Sequence, residues 1–199
     1  MLNFSIQVDG IQEATRYLNA LQRKQIPFAT AKALTETASD ARDEIVRGLD
    51  RKFTLRSMWW KPRTRFGFNI KAAKKTDLEA EVFTRAPWMK LHETGGIKKP
   101  AQGKHLAVPS SFVRRNKRNK ITTANRPRNL KNSFVGTGKN GQKTIFQRKR
   151  KQVIPMYFLE RDAQIRERLQ FRDTAQRVVN KRWMRNFNKA LDHALRTAK

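Results

Sequence analysis

Hydrophobic and polar positions change period several times along the chain. Leu2, Phe4, Ile6 and Val8 alternate with Asn3, Ser5 and Gln7, the period of a half-buried strand. Asp9 and Gly10 make a turn, after which Ile11, Leu18 and Leu21 recur at helical spacing as far as Pro27. Proline is tolerated in the first turn of a helix, and from Phe28 the positions Ala31, Leu34, Ala38, Ala41, Ile45 and Leu49 mark one face of a long helix. Gly48 and the charged run Asp50, Arg51 and Lys52 mark its end. The alanines on that stripe predict close packing against a sheet or a second helix.

The middle of the chain reads as strands. Phe66 to Ala73 and Leu78 to Thr84, joined by the polar turn Lys74 to Asp77, predict a hairpin. Ala86 to Gly96 reads as a short helical turn stopped by two glycines able to take positive φ. His105 to Pro109, Thr144 to Gln147 and Gln152 to Leu159 are further short apolar segments of strand type. From Asp162 the pattern is helical again, with a break near Gln170. Phe171, Ala175, Val178, Val179, Trp183, Phe187, Ala190, Leu191, Ala194 and Leu195 then form the apolar face of a long terminal helix. The expected fold class is α+β: a small, mostly antiparallel sheet packed by two long helices. It forms a single domain over 1–199 with a long basic insertion, loop or hairpin, at 97–151.

Charge changes the picture most. The chain of 199 residues has 45 Lys and Arg against 16 Asp and Glu, a formal net charge of +29. From Thr94 to Leu159 there is no acidic residue at all. Most of the cations there fall into three groups, with Lys139 and Lys143 standing apart. Lys98, Lys99 and Lys104 come first; Arg114, Arg115, Lys117, Arg118, Lys120, Arg126, Arg128 and Lys131 follow; Arg148, Lys149, Arg150 and Lys151 close the stretch. Cations this dense repel one another unless water or a polyanion neutralises them, so the stretch reads as a surface addressed to phosphates, with a solvated loop as the alternative. The terminal helix adds Arg172, Arg177, Lys181, Arg182, Arg185 and Lys189 on its outer face.

Several chemistries are excluded or weakened. Without cysteine there is no disulfide, zinc-thiolate site or thiol nucleophile. His92-Glu93 lacks the second histidine of the zinc-protease pattern, because Gly96 stands there. Gly136 to Thr144 resembles a phosphate loop only in outline: Gln142 follows Gly141 and the lysine arrives one place late. His193 to Arg196 has the first part of a tyrosine-recombinase signature, with no tyrosine after it. The acids are scattered as amphipathic surface positions and are not gathered as a nuclease's metal ligands would be. No catalytic residue, metal or cofactor is assigned. No apolar run reaches the roughly 20 residues of a membrane span, and the amino-terminal pattern has no signal-peptide core, so a soluble, unexported protein without a membrane partner is expected.

The order of features resembles a known family. Ile26-Pro27 opens an alanine-rich helix carrying Ala33-Leu34-Thr35-Glu36-Thr37-Ala38, a hairpin follows, and His92-Glu93-Thr94-Gly95-Gly96 precedes the basic insertion. Val153-Ile154-Pro155-Met156 then leads toward the terminal helix. This layout resembles the minor tail protein Z and tail-completion (head-tail connector) family of long-tailed bacteriophages.

The resemblance implies a virion structural protein made in the host cytoplasm and placed at the head-proximal neck of the tail. There it would complete the tail and help head-tail joining as a homo-oligomeric ring, with a hexamer the expected form. Its implied neighbours are the tail terminator or tail tube and the head connector proteins. On this reading Arg114, Arg115, Lys117, Arg118, Lys120, Arg126, Arg128, Lys131, Arg148, Lys149, Arg150 and Lys151 would touch the phosphates of double-stranded DNA without reading bases. Trp59, Trp60, Trp88 and Trp183 are read as core or subunit-interface anchors, and Trp59 and Trp60 also suit stacking on single-stranded bases. Composition alone favours a different class, a general nucleic-acid-binding protein of ribosomal or chromatin type. Ring assembly without nucleic acid separates the two.

Overall fold

A computed structural model describes residues 24–197. The strand expected at Leu2 to Val8 and the short helix after it lie outside the described residues. The chain divides into two compact units. One comprises residues 24–50, 59–85 and 171–197; the other comprises Arg51–Met58 and Ala86–Gln170. Among the described residues no helix is long and apolar enough to cross a membrane. The fold class is α+β, with two long helices and antiparallel strands in three sheets.

In the first unit, helix α1 (Ile26–Lys52, whose last two residues belong to the second unit) pairs with the terminal helix. Its burial follows the expected stripe except at Leu34, which is half-buried: Ala31, Ala38, Ala41, Ile45 and Leu49 are buried, joined by Ala29, Ala33 and Thr37. Ala29 and Ala33 meet Ala190 and Ala194, with Phe28, Trp183, Phe187 and Leu191 packed around them. Four alanines at i, i+4 spacing on facing helices let the backbones approach closely while keeping the best helix propensity. Beside this contact lies a polar one. The buried Asn186 amide donates to Thr37 Oγ1 and to Asp40 Oδ2, both at 3.1 Å, and Arg182 reaches Asp40 Oδ1 at 2.9 Å. As contacts climb α1 from Ala29 to Asp40 they descend the partner from Ala194 to Arg182, so the two helices run antiparallel.

Strands β1 (Phe68–Lys71) and β2 (Glu81–Thr84) form the expected hairpin, registered Phe68 to Thr84 and Lys71 to Glu81. Phe68 is fully buried and stacks on Phe171 at 6.1 Å. The approach to β1 is a knot of turns in which a methyl group at Gly67 would stand 1.9 Å from the Lys61 carbonyl oxygen, so only glycine fits.

In the second unit a short helix, α2 (Met89–Thr94), ends at Gly95 and Gly96, at φ 67° and 129°, as its two glycines predict. Strand β3 (Gly96–Lys98) follows directly. The main sheet contains β4 (Leu106–Pro109), β5 (Ser133–Thr137), β6 (Lys143–Lys149) and β7 (Gln152–Glu160), in the order β4-β7-β6-β5, all antiparallel. Strand β8 (Ala163–Ile165) pairs with β3.

That pairing corrects one expectation. The segment after Asp162, expected to be helical, contains a strand at Ala163–Ile165, whereas the break near Gln170 holds and the terminal helix, α3, spans Phe171–Arg196. Gly96–Lys98 offers the segment after Asp162 a ladder of backbone hydrogen bonds. Gln170, at φ 51°, then holds a left-handed conformation that a right-handed helix cannot pass through. The stretch 97–151 supplies β4, β5 and β6, together with the long connection 110–132 and its two 3-10 turns, Thr123–Asn125 and Pro127–Asn129.

Two outcomes test this architecture. Ala33→Leu forces extra volume into the close helix contact and lowers the unfolding free energy by about 1–3 kcal/mol in denaturant titration. Tyr157, buried in the second unit, donates to Asn125 O at 2.6 Å, and Tyr157→Phe costs about 1 kcal/mol at neutral pH. Burial raises the Tyr157 phenol above its usual 10.0, against an opposing pull from Arg115. The folded state therefore favours the protonated phenol. The associated stability is intact below pH 10 and is lost as pH rises through the raised value. Unfolding measured from pH 8 upward should show the gap between the wild type and Tyr157→Phe narrowing in alkali.

Candidate nucleic-acid interface

The long basic connection lies against its sheet although its cations repel. Val113 and Leu130 are buried with Met156 and Tyr157, and Ile121, Ile145 and Ile154 pack around them. These apolar anchors are spaced through the connection, so each intervening basic run is held at both ends. Ser110 donates through N to Met156 O at 2.9 Å and through Oγ to Pro155 O at 2.7 Å. The Tyr157 hydroxyl holds Asn125 from beneath.

Between Val113 and Ile121 the chain makes a tight reversal. Arg115 bridges Ile121, Asn116 N donates to Lys120 O at 2.9 Å, and Asn116 Oδ1 accepts from the backbone of Arg118 and Lys120 at 3.0 and 2.9 Å. Asn119 supplies the left-handed residue at φ 56°, a conformation asparagine adopts more readily than most side chains. Lys117, Arg118 and Lys120 are exposed on this tip, while Arg115 is half-buried and donates to Asn119 O at 3.3 Å. Arg114 is exposed, and its carbonyl accepts from Asn125 Nδ2. Arg126 and Arg128 are exposed on either side of Pro127, on turns tied by Asn129 N to Arg126 O and Asn129 Nδ2 to Thr123 O, each at 2.9 Å.

The remaining cations are brought together from distant parts of the sequence. Gln147 Nε2 donates to Lys131 O at 3.0 Å, and Arg148 N donates to Asn132 O at 2.9 Å. Lys131 thus lies beside the β6–β7 turn, where Lys149 faces Gln152 and Arg150 and Lys151 form the two-residue connection. Lys131, Arg148, Lys149, Arg150 and Lys151 line an open groove of about 810 Å³ with Asn132, Gln147 and Gln152. Next to it a second hollow of about 550 Å³ includes Phe134, over which the Arg148 guanidinium lies at 5.8 Å; Phe134 stacks in turn on Phe146 at 5.7 Å. Sequence reasoning did not select Phe134, Asn132 or Gln147. The short strand pattern at 132–137, closed by the Gly138 to Gly141 turn, was the available signal.

None of the twelve cations singled out from the sequence is in an ion pair among the described residues. Their charge is free for an external anion. The tryptophans lie elsewhere: Trp59 and Trp60 are half-buried before β1, and Trp183 packs on the alanine contact 5.7 Å from Phe187. Trp88 precedes α2 with 40 % of its surface exposed. His92 is half-buried edge-on to Phe53 at 5.0 Å, with Nδ1 unsatisfied; burial, then Arg168 and Lys98, lower its pKa and favour the neutral ring. Among the described residues no group of three His, Asp or Glu could hold a metal ion.

The surface presents cations without an ion-pair partner among the described residues, and the sequence that carries it matches a known family. The family model of prophage minor tail protein Z (GPZ) matches residues 8–199, which takes in both helices and the whole basic surface. No curated protein and no solved structure matches the chain. With nearly its full length covered, the chain belongs to the prophage minor tail protein Z family and is a structural component of the bacteriophage tail.

Proposed function

We propose that the protein completes the head-proximal end of the tail and helps join it to the head, and that its basic face touches the genome there through phosphates. The observation that carries the DNA reading is the groove of Lys131, Arg148, Lys149, Arg150 and Lys151. These are five cations from two separate stretches, fixed on a sheet with no acid in an ion pair with them. Such a surface binds by releasing counterions and positions the duplex without reading its sequence. The reversal carrying Lys117, Arg118 and Lys120, with Arg114, Arg115, Arg126 and Arg128, extends the same surface. The role is structural, not enzymatic.

Tail membership favours this role over that of a ribosomal or chromatin protein. A homo-oligomeric ring at the neck, expected as a hexamer, would point several copies of the groove toward a lumen, with tail terminator, tail tube and connector proteins as neighbours. Trp88, exposed beside α2, fits a subunit contact; Trp59 and Trp60 are less open, and Trp183 serves the core. Light scattering of the purified protein across salt concentrations tests the ring. A discrete closed oligomer without DNA is the expected result, and a monomer that gathers only on duplex refutes it.

The groove has its own tests. Affinity for a random-sequence duplex should fall with a log-log salt slope near −0.9 for each phosphate neutralised. Changing Lys149, Arg150 and Lys151 together to Gln should make that slope shallower by about 2–3, equally on every sequence. Arg150 stands at φ 53°, where a side chain costs about 1 kcal/mol that glycine avoids. Arg150→Gly is therefore expected to unfold at equal or higher temperature while binding duplex more weakly. A loss of both stability and binding would show that the arginine serves the turn and not the phosphate.

A further inference from the structure

The main sheet has two edges, and they are built differently. In an antiparallel strand, successive residues alternately turn both backbone groups toward the partner and away from it. Ser110 N bonds Met156 O, so Val108 and Leu106 also turn toward β7, and Ala107 and Pro109 turn outward. On that edge β4 places a proline, which has no N–H, at an outward position, a common way of blunting a strand edge.

The β5 edge lacks that protection. Arg148 N bonds Asn132 O and Gly138 N bonds Gln142 O, so Phe134 and Gly136 turn toward β6. Ser133, Val135 and Thr137 therefore turn their N–H and C=O groups outward, three donors and three acceptors in a row. The strand Ser133–Thr137 contains no charge, proline or bulge, and among the described residues no strand pairs with its outer edge. Val135 is 62 % exposed and Phe134 42 %. Cations bracket the rail. Lys131 precedes it and Lys139 follows, while Arg148 and Lys143 stand at its two ends on β6, all four exposed.

This bracket selects the occupant. Pairing β5 with itself about a two-fold axis at Val135 would set Lys131 against Lys139 of the second copy at both ends, and opposed like charges destabilise a strand pair. The β4 edge of a second copy would offer Pro109 where a donor is needed. An extended segment of another protein, with an uncharged alternating centre and acidic residues at its ends, satisfies both the hydrogen bonds and the four cations. We infer that the β5 edge is a strand-addition site for an acidic, extended segment of a partner protein, with Lys131, Lys139, Lys143 and Arg148 as its end clamps. The inference shares Lys131 and Arg148 with the DNA reading but does not depend on it, because the DNA reading uses no outward backbone group of β5.

The probe is a synthetic peptide, Glu-Glu-Thr-Val-Thr-Val-Thr-Glu-Glu, with a control in which prolines replace both valines at unchanged charge. With the full chain, the first peptide should slow amide hydrogen exchange at Ser133, Val135 and Thr137, and the control should bind at least about tenfold more weakly. Val135→Pro removes the central outward N–H without breaking a β5–β6 bond. It should lose about tenfold or more in peptide affinity while its thermal transition and its affinity for a random duplex stay at wild-type values. Equal binding of the proline control, protection at the Arg150-Lys151 turn in place of β5, undiminished binding by Val135→Pro, or no binding by the wild type would each overturn the site. Concentration-dependent protection of the same three amides in the protein alone would overturn it in favour of a second copy. The proline control needs only the wild-type chain, so the test survives if Val135→Pro does not fold. Loss of duplex binding alone would count against the DNA reading and leave this one standing.

Discussion

Charge repulsion within the second unit is the constraint that its structure has to satisfy. The acids of that unit are Glu93, Glu160, Asp162 and Glu167, and Glu160 accepts a hydrogen bond from Gln142. Everything else ionisable there except its histidines and Tyr157 is cationic at neutral pH. Two like charges about 8 Å apart in water repel by only about 0.5 kcal/mol, and salt screens them over about the same distance. Burying a Val or Leu side chain contributes about 1.5–3 kcal/mol. Apolar anchors as sparse as Val113 and Leu130 therefore suffice to hold a strongly basic connection down, provided its cations stay in water. The exposure of Lys117, Arg118, Lys120, Arg126 and Arg128 meets that condition.

The first unit solves a different problem with different means. Its acids sit among its bases: Asp40 with Arg182, Glu44 with Arg47, and Asp77 and Glu81 with Lys71. The exposed pairs contribute little. The contact that specifies the helix pair is the buried Asn186 amide, whose two hydrogens go to Thr37 and Asp40. An alanine seam alone would tolerate sliding by one turn, because Ala29 and Ala33 are interchangeable in shape. Asn186 finds both partners in a single register, and a slip would leave a polar group buried and unsatisfied.

How much of this was legible in the sequence depended on the range of the deciding interaction. Both long helices were legible because their apolar period is local, and Gly95 and Gly96 gave the end of α2 for the same reason. The β3–β8 pair was not, since three residues near Gly96 settle the conformation of three near Ala163, and nothing within 163–165 announces a distant partner. Charge made the candidate surface visible, but its grouping was hidden. Lys131 joins Arg148 to Lys151 only through the β5–β6 register, and Val113, Ile121 and Leu130 look isolated until Tyr157 and Met156 are placed beneath them. The four tryptophans read alike in sequence, yet Trp183 is committed to the helix contact and Trp88 is not buried.

The turns of the basic unit show where charge prevails over backbone preference. Asn119 and Asn132 take the left-handed conformation at φ 56° and 51° with the side chain that tolerates it best, and Gly141 does so at 75° without any side chain. At the tip of the β6–β7 hairpin the same demand falls on Arg150, at φ 53°. A two-residue hairpin turn ordinarily takes Asn-Gly or Gly followed by a polar residue, so Arg150 departs from the local chemistry that Asn119, Asn132 and Gly141 follow, as Arg63 and Gln170 do elsewhere at φ 65° and 51°. Strain of this kind persists where something else benefits from the residue. Arg150 forms no ion pair among the described residues and lines the groove, so on the proposed reading the benefit would lie with a phosphate held there, which is what Arg150→Gly tests.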